Sequence, residues 1–412
     1  MDQIASREAR RQEALDKMVE LMLAAGPVDQ LTDKYFSHTR RIVEAHGDQE
    51  VVYAVFMRRR VIAALEPAVR LVSRLVPEAK IKRFFKDGEV VPSERKLMEV
   101  RGPYSKLSEI ETLLLQKVGL PCVCANNAYE ICRAIPYAGF IDMHARHGSG
   151  PEMNLLVSYG AAVGSDTARG GDGNVKGFIG SSQDLTAPLY GAEQGTGTMP
   201  HALVGYTKGD VVEALKLFAK TVPESDILVG LVDYAGLEVT DSLKSARWFY
   251  EEAKLDHDGK AFGIRVDTHG GRFAEGLDYE KSVETVAQWL GVEGEYNIVE
   301  RVIGLRAFQL DPSNILVDKV RRFLFGKGVS VAAIIHVRRA LDAAGYKNVR
   351  MVVSSGFDVQ KCQVAGGTAA PINVVGTGSF LPATFSETYA TADIISYDGV
   401  KRVKIGREEL FD

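Results

Sequence analysis

The stretch "GDVVEALKLFAKTVPESDILVGLVDYAG" (209–236) decides the fold prediction, because it contains a helix and a strand in one unit. Its first half carries apolar residues at the spacing of an amphipathic helix, and its second half is an apolar run that ends at Asp233. Parallel strands need long return connections, which are usually helices. The stretch therefore predicts one unit of a parallel α/β sheet.

The same alternation recurs beyond about residue 140. Further apolar runs end in polar or glycine residues: "GFIGSSQ" (177–183), "GTGTMPH" (195–201), "FGIRVDTHGG" (262–271), "VRMVVSSG" (349–356) and "INVVGTGS" (372–379). Each is read as a strand followed by a loop. About six such units predict an irregular, TIM-like α/β barrel, in which the carboxyl ends of the strands share one face and hold the site.

The first hundred residues are expected to be mainly helical. The segment "REARRQEALDKMVELMLAA" (7–25) is amphipathic, and "VVYAVFMRRRVIAALEPAVRLVSRLV" (51–76) has apolar residues at helical spacing. We interpret the "MRRR" run inside it (57–60) as a solvated helix face.

Composition excludes several classes of protein. Of 412 residues 46% are hydrophobic and 25% charged, and the net charge of −4 gives no basic footprint for nucleic acid. No apolar run is long enough to cross a membrane and the first residues are charged, so we expect a cytoplasmic protein. The four cysteines lack zinc-site spacing and are expected to be reduced, and no protein metal site is predicted.

The ends of the predicted strands bring together candidate functional side chains. They are the hydroxyls of Ser181 and Ser182, the carboxylates of Asp233 and Asp267, and the imidazoles of His201 and His269. An aspartate at such a position is also a common helix cap, and a glycine-rich run with one histidine is also a common turn. Arg265 lies two residues before Asp267, so both would point to the same face of a strand, where an inward arginine needs an anionic partner.

Two glycine-rich turns and one basic loop complete the candidate site. The turns contain Ser355 and Gly356, and then Gly376, Thr377 and Gly378. They follow the last two predicted strands, where barrels often bind phosphate through backbone N–H groups. The loop "DMHARHGSG" (142–150) places Arg146 between two histidines. It is either a solvated basic loop or a clamp for a carboxylate or phosphate.

Several of these segments together resemble the nicotinate phosphoribosyltransferases, which form one structural group with the nicotinamide and quinolinate enzymes. The similar segments run from residue 31 to 382: "LTDKYF" (31–36), "EIETLLLQKVG" (109–119), "GFIGSSQDLTAPLYG" (177–191), "GTGTMPHA" (195–202), "RVDTHGG" (265–271), "VSSGFD" (353–358) and "NVVGTGS" (373–379). The most specific part is 177–201.

This resemblance implies a two-domain enzyme. An N-terminal α/β domain (1–139) would be completed by the returning C-terminus (383–412), and 140–382 would form the barrel. The implied reaction joins nicotinate to 5-phosphoribosyl-1-diphosphate with Mg²⁺, giving nicotinate mononucleotide and diphosphate. Many members of the family couple it to ATP hydrolysis through a phosphorylated histidine. The resemblance also implies a homodimer whose active sites lie at the interface.

The resemblance further implies a role for each candidate residue. Gly356, Gly376, Thr377 and Gly378 would hold the 5-phosphate, and Arg265 and Asp267 would contact the diphosphate and ribose. Asp233 would contact ribose or magnesium, and Arg146 with Ser182 would bind the nicotinate carboxylate. Tyr35 of the neighbouring subunit would stack on the pyridine ring, and His201 would be the phosphorylated histidine.

Three departures from the family pattern keep alternatives open. Ala202 stands where the family often has glutamate, "DTHG" (267–270) replaces Asp-Ser-Gly-Asp, and the last turn is "GTGS" (376–379). The first alternative is a decarboxylating quinolinate phosphoribosyltransferase, which would need more basic residues for two carboxylates. The second is a catalytically silent barrel that binds a phosphosugar or nucleotide. A nicotinamide-specific enzyme fits the anion-binding Arg146 less well, and no strand-end lysine supports aldolase chemistry.

Overall fold

Two large sheets, one antiparallel and one parallel, and a small two-stranded sheet organise the chain in a computed structural model that describes residues 2–304 and 315–411. The strands are β1 (Glu50–Met57), β2 (Val61–Ile62), β3 (Lys80–Arg83), β4 (Val90–Val91), β5 (Lys96–Pro103), β6 (Gly139–Asp142), β7 (Gly177–Ser181), β8 (Ile227–Leu231), β9 (Ala261–Val266), β10 (Arg350–Val353), β11 (Val374–Thr377), β12 (Ala390–Tyr397) and β13 (Val400–Lys401). The fold is mixed α/β, as predicted.

Helices fill the connections between these strands. They are α1 (Asp2–Ala24), α2 (Val28–Leu31), α3 (Lys34–His46), α4 (Glu66–Leu75), α5 (Tyr104–Ala134), α6 (Pro151–Gly171), α7 (His201–Tyr206), α8 (Val211–Thr221), α9 (Glu238–Arg247), α10 (Tyr279–Leu290), α11 (Glu295–Ile303), α12 (Ile315–Phe325), α13 (Val331–Ala343), α14 (Val359–Gly367) and α15 (Phe385–Thr388), with 3₁₀ turns at Ala145–His147, Ala187–Tyr190 and Glu408–Phe411 and a π turn at Trp248–Glu252.

The parallel sheet forms the predicted irregular barrel. Its strand order is β7-β6-β11-β10-β9-β8, and every neighbouring pair is parallel. The first strand β6 pairs with the last strand β11, which curls the sheet back on itself. No ladder joins β7 to β8 within the described part of the chain, so the barrel stays open there. The strand ends still converge on one face, where most of the candidate residues lie.

The antiparallel sheet confirms that the C-terminus completes the N-terminal part of the chain. Its order is β13-β12-β1-β5-β3, so β12 pairs with β1, more than 300 residues earlier. This pairing runs from Val51 opposite Tyr397 to Met57 opposite Ala390. The boundaries 1–139, 140–382 and 383–412 remain predictions.

The sequence prediction was wrong for two segments. Residues 50–62 are strands rather than helix, and Arg58–Arg60 form an exposed turn instead of a helix face. The run "VVYAVFM" (51–57) is buried on both sides of its strand, so it has no period-2 alternation and mimics a buried helix. The run "GTGTMPH" (195–201) is a loop that ends where α7 begins, and the sixth strand is instead "GFID" (139–142), which the prediction did not identify.

One helix pair joins the two sheets. Helix α5, 31 residues long, packs along α6, and glycines at the contact allow close approach. A Cβ on Gly164 would lie 2.0 Å from the Ala125 carbonyl oxygen. None of the helices in residues 2–304 and 315–411 is both long and apolar enough to cross a bilayer.

Candidate active site

A cavity of about 690 Å³ opens at the carboxyl ends of the parallel strands. The segments that line it follow β6, β7, β9, β10 and β11, and the loop before α7 closes one side. The cavity therefore lies where barrel enzymes place their chemistry. Ten sequence-predicted residues line it: Arg146, Ser182, His201, Arg265, Asp267, Ser355, Gly356, Gly376, Thr377 and Gly378.

Four predicted residues lie outside this lining. Asp233 stands directly behind it and contacts His201. Ser181 is buried, and its hydroxyl shares a hydrogen bond of 2.6 Å with Thr186. His269 is exposed, and its Nδ1 accepts a hydrogen bond from the Gly271 N–H. Tyr35 is 62% exposed in another cleft, between α3, α5 and the C-terminal segment.

The two glycine-rich turns present backbone N–H groups to the cavity. Ser355 and Gly356 both have left-handed φ, at 78° and 71°. A Cβ on Gly378 would lie 2.5 Å from the Met143 carbonyl oxygen, so only glycine fits there. Among the described residues, the N–H groups of Gly356 and Gly378 donate to no protein acceptor. Unpaired N–H groups in such turns form an anion-binding concavity.

Two polar side-chain atoms beside these turns also lack a protein partner in the described part of the chain. The buried Ser354 hydroxyl and the Arg265 Nε have no hydrogen-bond partner within the described residues. Arg265 donates to the Thr198 hydroxyl over 2.6 Å, and its guanidinium lies 3.6 Å from the Asp267 carboxylate. Burial lowers the pKa of Arg265, and the carboxylates of Asp267 and Asp233 oppose that shift. Buried polar atoms are rarely left unpaired, so this wall of the cavity is built for a polar ligand.

His201 and Asp233 form an imidazole–carboxylate pair. The His201 Nε2 lies 3.0 and 3.2 Å from the two Asp233 carboxylate oxygens. The side chain of Asp233 is 6% exposed and that of His201 is 45% exposed, so the carboxylate orients a ring that faces the cavity. Asp233 is not a helix cap, because α9 begins only at Glu238. The pairing leaves Nδ1 of His201 as the other ring nitrogen.

A buried network fixes the predicted basic loop. The carboxylate of Asp142 accepts hydrogen bonds from the His144 N–H and from the Ser158 and Tyr190 hydroxyls. The His144 Nδ1 lies 3.2 Å from the Gly378 carbonyl oxygen, which connects the basic loop to the second glycine turn. Arg146, on the 3₁₀ turn, remains exposed at the cavity edge. Burial, and the charge of Arg146 beside it, lower the pKa of His147.

Sequence reasoning missed several residues of the site. Ser354 and Thr198 are ordinary turn residues in the sequence, and only their position in the cavity marks them. Lys361 in α14 has the helical context of an exposed lysine, yet it is buried beneath the first turn. Burial lowers the pKa of Lys361 to about 8. For none of the three does the sequence carry a distinguishing signal.

No group of three or more His, Cys, Asp or Glu side chains in the described ranges is arranged to hold a metal ion. Asp267 is the carboxylate among the predicted residues that line the cavity. Magnesium commonly binds through one or two carboxylates together with substrate phosphates, and this donor set fits that mode.

Comparisons with known proteins bear on one segment of the sequence and on the fold. Residues 33–119 match the family described as quinolinate phosphoribosyl transferase, N-terminal domain. No curated protein sequence matches the chain significantly.

Three solved structures share the fold. Nicotinate-nucleotide pyrophosphorylase from Pyrococcus furiosus has a TM-score of 0.63 at 20% identity, with 92% of this chain and 78% of that chain covered. Human nicotinic acid phosphoribosyltransferase has 0.56 at 16% identity, with coverage of 91% and 76%. NadC from Streptococcus pyogenes has 0.53 at 13% identity, with coverage of 94% and 95%. The chain is therefore similar to quinolinate phosphoribosyl transferases over residues 33–119, and it shares its fold with these three enzymes.

Proposed function

We propose that this protein transfers the phosphoribosyl group of 5-phosphoribosyl-1-diphosphate to nicotinate, in the biosynthesis of NAD. One observation carries the proposal: unpaired N–H groups of two glycine turns, the unpaired Ser354 hydroxyl, Arg265 and Arg146 face one cavity. A phosphoribosyl diphosphate and a pyridine carboxylate together offer anionic groups for all of them.

The phosphoribosyl transfer depends on how the two substrates are positioned more than on proton transfer. The pyridine nitrogen would attack C1 of the ribose while the bond from C1 to the diphosphate oxygen breaks, and the electron pair leaves with diphosphate. The pyridine nitrogen has a free lone pair and needs no general base. The developing positive charge on the ribose and negative charge on the diphosphate are stabilised by oriented fixed charges. Asp267 and Arg265, 3.6 Å apart, suit these opposite charges.

Magnesium would enter with the diphosphate and be held by the Asp267 carboxylate. Bound there, the ion would neutralise charge on the leaving diphosphate. The protein's own contribution is Arg265, which Thr198 orients from the loop before α7.

His201 is proposed as the histidine that accepts a phosphoryl group from ATP. Its orientation by Asp233, its exposure and its place in the cavity support this role. An imidazole held at Nε2 by a carboxylate has Nδ1 free to attack the γ-phosphorus of ATP, with ADP as leaving group. Ala202, where the family often has glutamate, removes one carboxylate from this step, so phosphoribosyl transfer without ATP is also expected.

The charge of the cavity favours nicotinate over quinolinate. Among the lining residues, Arg146 and Arg265 are the permanently charged cations, and no lysine lines the cavity. Quinolinate has a second carboxylate that would need a further cationic partner. The family match to a quinolinate enzyme domain keeps that substrate as the second candidate, with loss of CO₂.

The proposal is tested by incubating the purified protein with phosphoribosyl diphosphate, Mg²⁺ and either nicotinate, nicotinamide or quinolinate, with and without ATP. Mononucleotide and diphosphate should form with nicotinate, and ATP should increase the yield. Product from quinolinate alone, with CO₂, overturns the choice of base. Failure with all three bases would leave the catalytically silent, phosphosugar-binding barrel as the function.

The variant His201→Ala tests the coupling to ATP. It should abolish the ATP stimulation and retain basal transfer, and an equal loss of both refutes the coupling role.

A further inference from the structure

A buried lysine lies directly beneath the first anion-binding turn, residues 354–357. Lys361 is 8% exposed and does not line the cavity. Its Nζ donates to the Ser355 carbonyl oxygen over 2.7 Å and lies 4.4 Å from the centre of the Phe357 ring. The lysine thus contacts two residues of a turn that the cavity exposes on its other side.

The hydrogen bond fixes which way one peptide group points. In a trans peptide the carbonyl oxygen of one residue and the N–H of the next point in opposite directions. Lys361 holds the Ser355 carbonyl toward the interior, so the N–H of Gly356 points away from the lysine, and Gly356 lines the cavity. Ser355 has φ of 78°, which is unfavourable for a residue with a side chain and needs a compensating contact.

The charge of Lys361 is not cancelled by a close carboxylate. Its Nζ forms no ion pair within 4.0 Å with an Asp or Glu of the described residues and donates to a carbonyl group instead, while the carboxylates of Asp358 and Asp267 act on the charge from farther away. Lys96 provides a contrast in the antiparallel sheet. It also lies over a phenylalanine, Phe84, but it pairs with Glu99 at 2.9 Å. A buried ammonium without a contacting carboxylate is costly, and an anion bound nearby lowers that cost.

We propose that Lys361 is a positioning residue for the phosphate of the substrate. It holds the 354–357 turn with the Gly356 N–H facing the ligand, and it places a positive charge behind the turn. The ligand class is a phosphate monoester on a sugar, here the 5-phosphate end of phosphoribosyl diphosphate. The inference rests on the proposed function for the identity of the sugar phosphate.

The experiment compares the full chain with Lys361→Met, Lys361→Arg and the matched control Lys96→Met. Calorimetry measures binding of inorganic phosphate, ribose 5-phosphate and phosphoribosyl diphosphate, and thermal melting monitors folding. Loss of a charge-assisted contact should weaken the binding of ribose 5-phosphate about tenfold in Lys361→Met. The loss of affinity should be smaller in Lys361→Arg, which keeps a cationic donor. Lys96→Met should bind it as the wild type does. In turnover, Lys361→Met should raise KM for phosphoribosyl diphosphate and leave kcat and KM for nicotinate within about twofold.

The outcomes separate this inference from the proposed function. Equal ribose 5-phosphate affinity in wild type and Lys361→Met overturns the role of Lys361 and leaves the enzyme assignment intact. Binding with the expected loss, but no turnover with any pyridine base, supports Lys361 and overturns the enzyme assignment. A wild type that binds none of the three phosphates overturns both. If Lys361→Met does not fold, Lys361→Arg alone decides: a ribose 5-phosphate affinity that is weaker than in the wild type but still measurable supports the role, and an affinity equal to that of the wild type contradicts it.

Discussion

At the scale of single residues, the two arginines of the cavity have different environments and are expected to do different work. Arg265 is largely buried and is held by Thr198, so its position is fixed before a ligand arrives. Arg146 is exposed on a 3₁₀ turn that the buried Asp142 network supports from below. A preorganised cation suits the charge that develops in the reaction, whereas an exposed one suits recognition of the incoming base.

Replacing Arg146 by leucine should therefore affect the base more than the phosphoribosyl donor. We expect KM for nicotinate to rise about tenfold, since the carboxylate loses a charged partner at a solvated edge, while KM for phosphoribosyl diphosphate stays within twofold. The measurement is initial-rate kinetics with each substrate varied in turn. Arg95→Leu, an exposed arginine in the turn before β5, is the control. A rise in both KM values would contradict a role confined to the carboxylate.

At the scale of elements, the contact between α5 and α6 depends on glycine at positions where the helices touch. The Cβ of an alanine at Gly160 would lie 2.3 Å from the Pro121 carbonyl oxygen, and at Gly164 it would lie 2.0 Å from that of Ala125. Both obstacles are backbone atoms, which cannot move aside as a side chain can. Gly170, near the end of the same helix, faces open space.

These neighbouring glycines provide a matched pair of substitutions. Gly164→Ala should lower the free energy of unfolding by about 2–4 kcal/mol, because it forces the helices apart. Gly170→Ala should leave it unchanged or raise it by up to about 1 kcal/mol, because alanine is the better helix former. Urea unfolding followed by circular dichroism checks both. Similar values for the two variants would show that the helix contact is looser than described.

Glu111, on α5, makes stability depend on pH. Burial raises the pKa of Glu111 to about 7 from its ordinary value of 4.5, and the nearby Asp393 and Asp33 add to the rise, while a hydrogen bond with Tyr53 opposes it. A carboxyl group whose pKa is raised by folding stabilises the native state below its unfolded pKa, and this contribution is lost as pH rises toward 7.

Glu111→Gln stays neutral and should remove this dependence. Between pH 5 and pH 8 the wild type should lose about 2 kcal/mol more of its unfolding free energy than the variant. Denaturant titrations at the two pH values give the comparison. Parallel losses in the two proteins would mean that Glu111 ionises at its ordinary pKa.

The helices and strands that the sequence predicted best were those whose apolar residues have a clear helical or strand spacing. The amphipathic 211–221 and the strand that ends before Asp233 appear as α8 and β8. Strand β1 was missed because both of its faces are buried, one in the main hydrophobic core and one under the C-terminal 3₁₀ turn. Its partner β12 lies at the far end of the chain, and no local pattern reveals such a pairing. The role of Lys361 was missed for the same reason. Segments distant in the sequence bury this side chain, and the spacing of apolar residues in its own helix does not show that burial.

At the scale of the whole molecule, the placement of Tyr35 bears on the homodimer that the family resemblance implies. Tyr35 lies in a cleft with Glu111 and Tyr389, separate from the cavity of its own chain. Its ring is mostly exposed, although large aromatic side chains usually cover apolar surface. In a twofold dimer each subunit would present this ring to the cavity of the other, since such interfaces are reciprocal.

Mixing two inactive variants tests this arrangement. Tyr35→Ala and Arg265→Ala should each have little activity alone, the first through loss of stacking on the pyridine and the second through loss of the buried guanidinium. If the ring acts in the partner's cavity, a mixed dimer has one cavity that lacks both groups and one that lacks neither. Equal amounts of the two variants, unfolded and refolded together, should then regain about a quarter of the wild-type activity, because half of the dimers are mixed and each mixed dimer has one intact site.

The double variant Tyr35→Ala/Arg265→Ala, mixed with either single variant, forms no intact site and is the control. If the mixture stays inactive while light scattering shows a dimer, Tyr35 acts within its own subunit or not at all, and a monomeric mass would remove the shared site altogether.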